Sequence, residues 1–245
     1  LASGLLDTIY NNLYTLVIGK VYLPKTLGLY SKASSLAQFP SFNITSVIQT
    51  VTFPVLSNIQ NEEERLRDVY KRLIKVSAFI VFPFMVGLAS VADPFIKIVL
   101  TDKWVGAVPL IQILCFSMMW NPIHTLNLNI LQVKGRSDYF LRLEVIKKIQ
   151  GVFFLVATLP MGIIVMCWGN VLASLLNLIW NTYYTKKLIG YGFREQVLDL
   201  FPILIHSLLM GGVVSLIIYF IPTNWIKLIV GIVVGIVYYT VGAYI

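Results

Sequence analysis

The sequence is dominated by a series of apolar runs, each roughly 20 residues long, the length that carries a helix across a bilayer core. Short clusters of charge separate them. Stretches 76–91 and 208–221 are apolar on every side, whereas a strand of a membrane barrel would alternate with period two. Helices are therefore expected at 3–22, 27–57, 73–99, 106–133, 141–160, 163–185, 199–221 and 224–245. The fold class that follows is an all-α membrane protein of about eight transmembrane helices. Composition agrees: 58% of the 245 residues are hydrophobic and 12% charged, against about 25% charged in soluble domains. The chain starts at Leu1 and ends at Ile245 inside an apolar run, which reads as a fragment of a longer protein.

The net charge of +8 flanks the spans, so it points to lipid headgroups and to topology rather than to nucleic acid. Arg65, Arg67, Lys71, Arg72, Lys75, Lys134, Arg136, Arg142, Lys147, Lys148, Lys186, Lys187 and Arg194 fall on one side. Lys20, Lys25, Lys32, Lys97, Lys103 and Lys227 fall on the other. The positive-inside rule makes the first side cytoplasmic, with both chain ends there too. In the first cytoplasmic loop, Asn61 precedes Glu62, Glu63 and Glu64, which reads as a capped start of a short amphipathic helix along the membrane surface over 58–70.

Several spans carry polar residues at helical spacing. The second has Gln38, Ser41, Thr45 and Gln49; the fourth has Asn121, Thr125, Asn129 and Gln132; the first has Asp7, Asn11 and Tyr14; the sixth has Asn170, Ser174, Asn177 and Asn181. Such stripes either bond helix to helix or line a watery path for a polar cargo. For the second and fourth spans the number of polar groups favours a cavity, while both readings stay open for the sixth. Pro40, Pro54, Pro83 and Pro122 lie in or near spans and favour kinks around such a cavity. Gly231 and Gly235 form a small-xxx-small pair expected at a close helix contact. Asp7 is the one acid well inside a span and the candidate for ion coupling. Cys115 and Cys167 read as buried small hydrophobes. The sequence offers no metal or cofactor motif and no catalytic constellation, so an enzyme is not expected.

The runs Val17-Ile18-Gly19-Lys20, Leu27-Gly28-Leu29-Tyr30-Ser31-Lys32-Ala33 and Thr52-Phe53-Pro54-Val55-Leu56-Ser57 resemble bacterial polysaccharide transporters of the multidrug/oligosaccharidyl-lipid/polysaccharide exporter superfamily. Later segments fit as well: Ala92-Asp93-Pro94, Lys103-Trp104, Gly135-Arg136-Ser137-Asp138 and Glu144-Val145-Ile146-Lys147-Lys148. The resemblance runs to about Asn181 and weakens beyond. It implies a protein of about fourteen helices in two lobes, of which residues 1–185 would form the C-terminal six-helix lobe and 186–245 two additional helices. It also implies flipping of undecaprenyl-diphosphate-linked oligosaccharide across the bacterial inner membrane, with membrane lipids and a polysaccharide polymerase or assembly machinery as partners. Relatives often carry an acid and an Asn where this chain has Tyr14 and Thr15, which puts ion coupling through this lobe in question. For such a cargo, Asn11, Tyr14, Gln38, Thr45, Gln49, Asn121, Thr125 and Asn129 are the candidate cavity residues. Lys20 and Lys32 are the candidate phosphate ligands, with Arg142, Lys147 and Lys148 as alternatives for loading from the cytoplasm. Tyr10, Tyr14, Tyr30 and Trp120 are candidate stacking surfaces. A drug or cation antiporter of the same superfamily, or a membrane polymerase or ligase, are the competing expectations.

Overall fold

The computed structural model describes residues 16–244 and is helical almost throughout, with no strand among the described residues. In chain order the elements are the end of α1 (16–21), α2 (Pro24–Asn58), α3 (Glu63–Ser90), α4 (Ala92–Val99), α5 (Val108–Met118), α6 (Asn121–Val133), α7 (Ser137–Thr158), α8 (Ile163–Ile189), α9 (Phe193–Tyr219) and α10 (Asn224–Tyr244). The helices α3, α8, α9 and α10, and the stretch through α5 and α6, are each long and apolar enough to cross a membrane. The 35 residues of α2 and 22 of α7 also suffice by length at about 1.5 Å per residue, but both are more polar. The Lys/Arg-rich turns after α2, α6 and α8 gather at what we call the basic end of the bundle.

Two expected spans are built differently. The third begins ten residues early, because Leu66, Tyr70 and Ile74 continue the buried stripe of Ala78, Val81, Phe82 and Met85 without a change of phase, and it ends at Ser90, its expected last turns forming the separate α4 after a break at Val91. No separate surface helix forms over 58–70; from Glu63 onward that segment is the start of α3, with Glu63 and Glu64 on its positive end. The fourth span is broken into α5 and α6. Pro122 lies in the first turn of α6, and its missing N–H ends α5 at Met118. Pro40 and Pro54, by contrast, are accommodated inside an uninterrupted α2.

The broken α5–α6 helix is the centre of the bundle, packed against α2, α3 and α8. Leu110, Ile111, Leu114, Met119, Ile123, Leu126 and Ile130 are almost completely buried there. On the other side α8 carries α7, whose outward face of Leu141, Val145, Ile149, Val152, Phe153 and Val156 is exposed as a lipid-facing surface would be. The inward face of α7 holds Glu144 between Lys147 and Lys148, at 3.2 and 3.7 Å. At the start of α7, Arg136 closes on Asp138 at 2.8 Å and, chiefly by that hydrogen bond, lowers its carboxyl to about 2.

The longest helix–helix seam is between α3 and α9, with α10 covering α9 and α4. Glycine makes this seam possible. A Cβ on Gly211 would stand 2.5 Å from Val86 Cγ1 and 3.0 Å from Ser90 Oγ, and one on Gly231 would stand 2.7 Å from Val91 Cγ1. A Cβ on Gly235 would make only ordinary contact with Val214 of α9, so of the expected pair Gly231 alone sits at a close approach. The next residue after Gly211 gives an internal control: a Cβ on Gly212 meets nothing within 4 Å. Gly211→Ala is expected to cost about 1–3 kcal/mol by overpacking, whereas Gly212→Ala should be neutral or slightly stabilising. Thermal unfolding of the two purified variants in one detergent checks this contrast.

Candidate functional site

In the half of the bundle away from the basic end, α2, α5–α6 and α8 enclose a cavity of about 480 Å³. Its wall is hydroxyl- and amide-rich. Ser31, Ser34, Ser35 and Gln38 come from α2, Asn121 and His124 from α6, and Asn170, Ser174 and Asn177 from α8; Tyr30 and Phe42 add aromatic faces. Polar groups in such number are costly in an apolar bundle unless water or a polar ligand meets them.

The break between α5 and α6 shapes this wall. In a continuous helix residue 122 would donate to the Met118 carbonyl, and proline cannot. Ser41 Oγ of α2 supplies the missing donor at 2.8 Å, and Asn121 Nδ2 donates to the same Ser41 Oγ at 3.1 Å. The proline, the serine and the asparagine thus form one unit that fixes α2 against the start of α6, with Met118 and Asn121 on the cavity wall.

His124 is held from α8 on both ring nitrogens. Ser174 Oγ donates to the Ser117 carbonyl at 3.1 Å, so it accepts from His124 Nε2 at 3.0 Å. Nδ1 then accepts from Asn181 Nδ2 at 3.2 Å. These roles assign the neutral Nε2–H tautomer. Lys147 of α7 lies within electrostatic reach of the same ring. The α8 ladder therefore serves two purposes at once. Asn181 bonds helix to helix, Ser174 does so while also bordering the cavity, and Asn170 and Asn177 border it. Gln150 of α7 backs Asn177 at 3.3 Å and is itself held by Trp180 Nε1 at 2.8 Å.

Of the residues singled out from the sequence, Gln38 and Asn121 line the cavity. Thr45 is buried and donates to the Ser41 carbonyl at 2.6 Å. Gln49 and Asn129 meet each other at 3.4 Å, nearer the basic end, and Asn129 Nδ2 is buried with no hydrogen-bond partner among the described residues. Thr125 is half-buried on α6 and does not line the cavity. Lys20 is exposed at the end of α1, and Lys32 is half-buried beside cavity-lining Ser31. Tyr30 borders the cavity, while Trp120 is buried against Phe82 at 5.0 Å between ring centroids. Asp7, Tyr10, Asn11 and Tyr14 lie outside the described residues. Sequence reasoning did not single out Gln150, Asn127 or Gln196, because each lies off the polar stripes and meets its partner on another helix.

Replacing Ser41 with Ala leaves the Met118 carbonyl and the Asn121 amide short of a partner. The loss is expected to be about 1–2 kcal/mol, the upper part of the range for polar contacts in membranes. Ser41→Thr, which retains the hydroxyl, should lose less. Urea or thermal unfolding in detergent distinguishes the two.

A family model described as polysaccharide biosynthesis protein matches residues 1–109. The lipopolysaccharide biosynthesis protein WzxC of Escherichia coli (strain K12) is 28% identical over 227 residues, covering 87% of this chain and 45% of that protein. The teichuronic acid biosynthesis protein TuaB of Bacillus subtilis (strain 168) is 26% identical over 207 residues, covering 83% and 43%. In three dimensions the chain is similar to the lipid II flippase MurJ in its inward closed conformation, with a TM-score of 0.78 at 19% identity, covering 96% of this chain and 51% of that one. The chain spans about half the length of the proteins it matches. By these matches the chain is a multi-pass membrane protein similar in sequence to proteins of polysaccharide biosynthesis, with a fold similar to about half of a lipid flippase.

Proposed function

We propose that this chain forms one lobe of a transporter that flips undecaprenyl-diphosphate-linked oligosaccharide across the bacterial inner membrane, with the basic end in the cytoplasm. The observation that carries this reading is the cavity between α2, α5–α6 and α8, walled by amides and hydroxyls inside an otherwise apolar bundle. A glycan presents the complementary donors and acceptors, and Tyr30 and Phe42 offer faces for its rings. The polyprenyl tail stays in lipid, which asks nothing of the wall. In this reading residues 1–185 are the C-terminal lobe, residues 186–245 add two helices to it, and a second lobe completes the cavity.

The diphosphate needs cations. Lys32, next to cavity-lining Ser31, serves the outer leaflet in this scheme, with Lys20 nearer the end of its helix. Lys147, close to His124, serves loading from the cytoplasmic side. Asp7 is the proposed ion-coupling residue. Assembly with a polysaccharide polymerase belongs to the same proposal.

Single cysteines in the full-length protein, in a background lacking Cys115 and Cys167, test the cavity. Those at Gln38, Asn121 and Asn177 are expected to react with a membrane-impermeant thiol reagent, and controls at Ile80 and Phe84 on the outer face of α3 should not. Protection at all three cavity positions would contradict a water-filled path. Slower labelling in the presence of lipid-linked oligosaccharide would tie the path to that cargo.

A further inference from the structure

At the start of α9, Gln196 is completely buried, and its amide pairs with that of Asn127 on α6 in both directions. Asn127 Nδ2 donates to Gln196 Oε1 at 3.1 Å, and Gln196 Nε2 donates to Asn127 Oδ1 at 2.9 Å. The rest of the Asn127 amide is used as well: Nδ2 also donates to the Ile123 carbonyl at 2.8 Å, and Oδ1 also accepts from Thr185 Oγ1 of α8 at 2.8 Å. Thr185 Oγ1 shares its proton with the Asn181 carbonyl at 3.1 Å. Asn181 in turn holds His124 Nδ1, and His124 is a wall residue of the cavity. A line of contacts therefore runs from α9, through α6 and α8, to the cavity wall, passing at Asn181 from its main-chain carbonyl to its own side chain.

We propose that Gln196 is a positioning residue for the cavity, acting through Asn127, Thr185 and Asn181 on the His124 ring. An amide buried among helices meets no water, so its partners fix the helices that carry them. Asn127 makes all four of its possible bonds, and no other arrangement of α6, α8 and α9 that breaks the Gln196 pair keeps them. Without the Gln196 amide, Asn127 is left with an unmet donor and acceptor and turns to new partners. Thr185 then loses its partner on α6, the seat of α8 against α6 shifts, and Asn181 carries that shift to the ring. The helices after residue 185 thereby help set the shape of a wall to which they contribute no residue. The effect on the ring stands by itself, and only the effect on flipping rests on the transport reading.

Ring-nitrogen NMR of histidine-labelled full-length protein tests this, with His206 on the same α9 as the internal control for general disturbance. Gln196→Met keeps the side-chain length and removes the amide. It is expected to shift the His124 nitrogens while leaving His206 in place, and to slow flipping about tenfold, the scale of losing two buried hydrogen bonds. The exchange Asn127→Gln with Gln196→Asn restores the pair with its lengths swapped and should bring the His124 signals most of the way back. Should Gln196→Met fail to fold, Gln196→Asn alone leaves the pair one methylene short and gives the same reading. His124 signals that stay put in a folded Gln196 variant overturn the proposal, whether or not flipping changes. A His124 shift in a protein that shows no flipping in any form leaves the positioning role standing and removes the transport reading instead.

Discussion

Inside a bundle of this apolarity, a polar group that water cannot reach must find its partner in the protein. Most of the detail of the structure answers to that requirement. Pro122 breaks a helix and strands the Met118 carbonyl, and Ser41 from another helix makes good the loss. Thr45, Thr182 and Ser207 return their hydroxyls to the carbonyl four residues back, at 2.6–2.8 Å. Asn127 is saturated by three neighbours. Along Ser31, Ser34, Ser35 and Gln38, where the described residues supply no such pairing, there is a cavity. Pairing and cavity are two outcomes of one constraint, and the boundary between them runs along single helices.

That boundary explains what the sequence could and could not reveal. Apolar runs and charge clusters locate the helices because a bilayer demands a minimum length and forbids scattered charge. The third span starts earlier than expected because Arg67, Lys71 and Lys75 mark a membrane edge, yet the buried stripe of α3 passes straight through them. Hydropathy sees the edge of the bilayer and not the end of the helix.

The polar stripes were legible as stripes, but periodicity does not say which neighbour each residue meets. Gln38 and Thr45 sit two turns apart on one face of α2, yet one borders the cavity and the other is buried against α2's own backbone. The difference comes from where α5 ends and α6 begins. Asn127 and Gln196 are separated by 69 residues and share no local pattern, so only the packing of α6 against α9 brings them together. Gly211 and Gly212 are likewise indistinguishable in sequence, and only the seam with α3 sets them apart.

The charged inner face of α7 has a consequence for how the chain enters its membrane. Glu144, Lys147 and Lys148 fall within one 22-residue helix, and a lone charged side chain near the bilayer centre costs about 2.5–3.5 kcal/mol on insertion scales. A nascent α7 released into lipid by itself would have only the pairing within the helix to offset that cost, whereas one that emerges with α8 has its inward face covered at once by the helix that follows it. Biogenesis of this bundle therefore favours α7 and α8 leaving the translocation machinery as a hairpin.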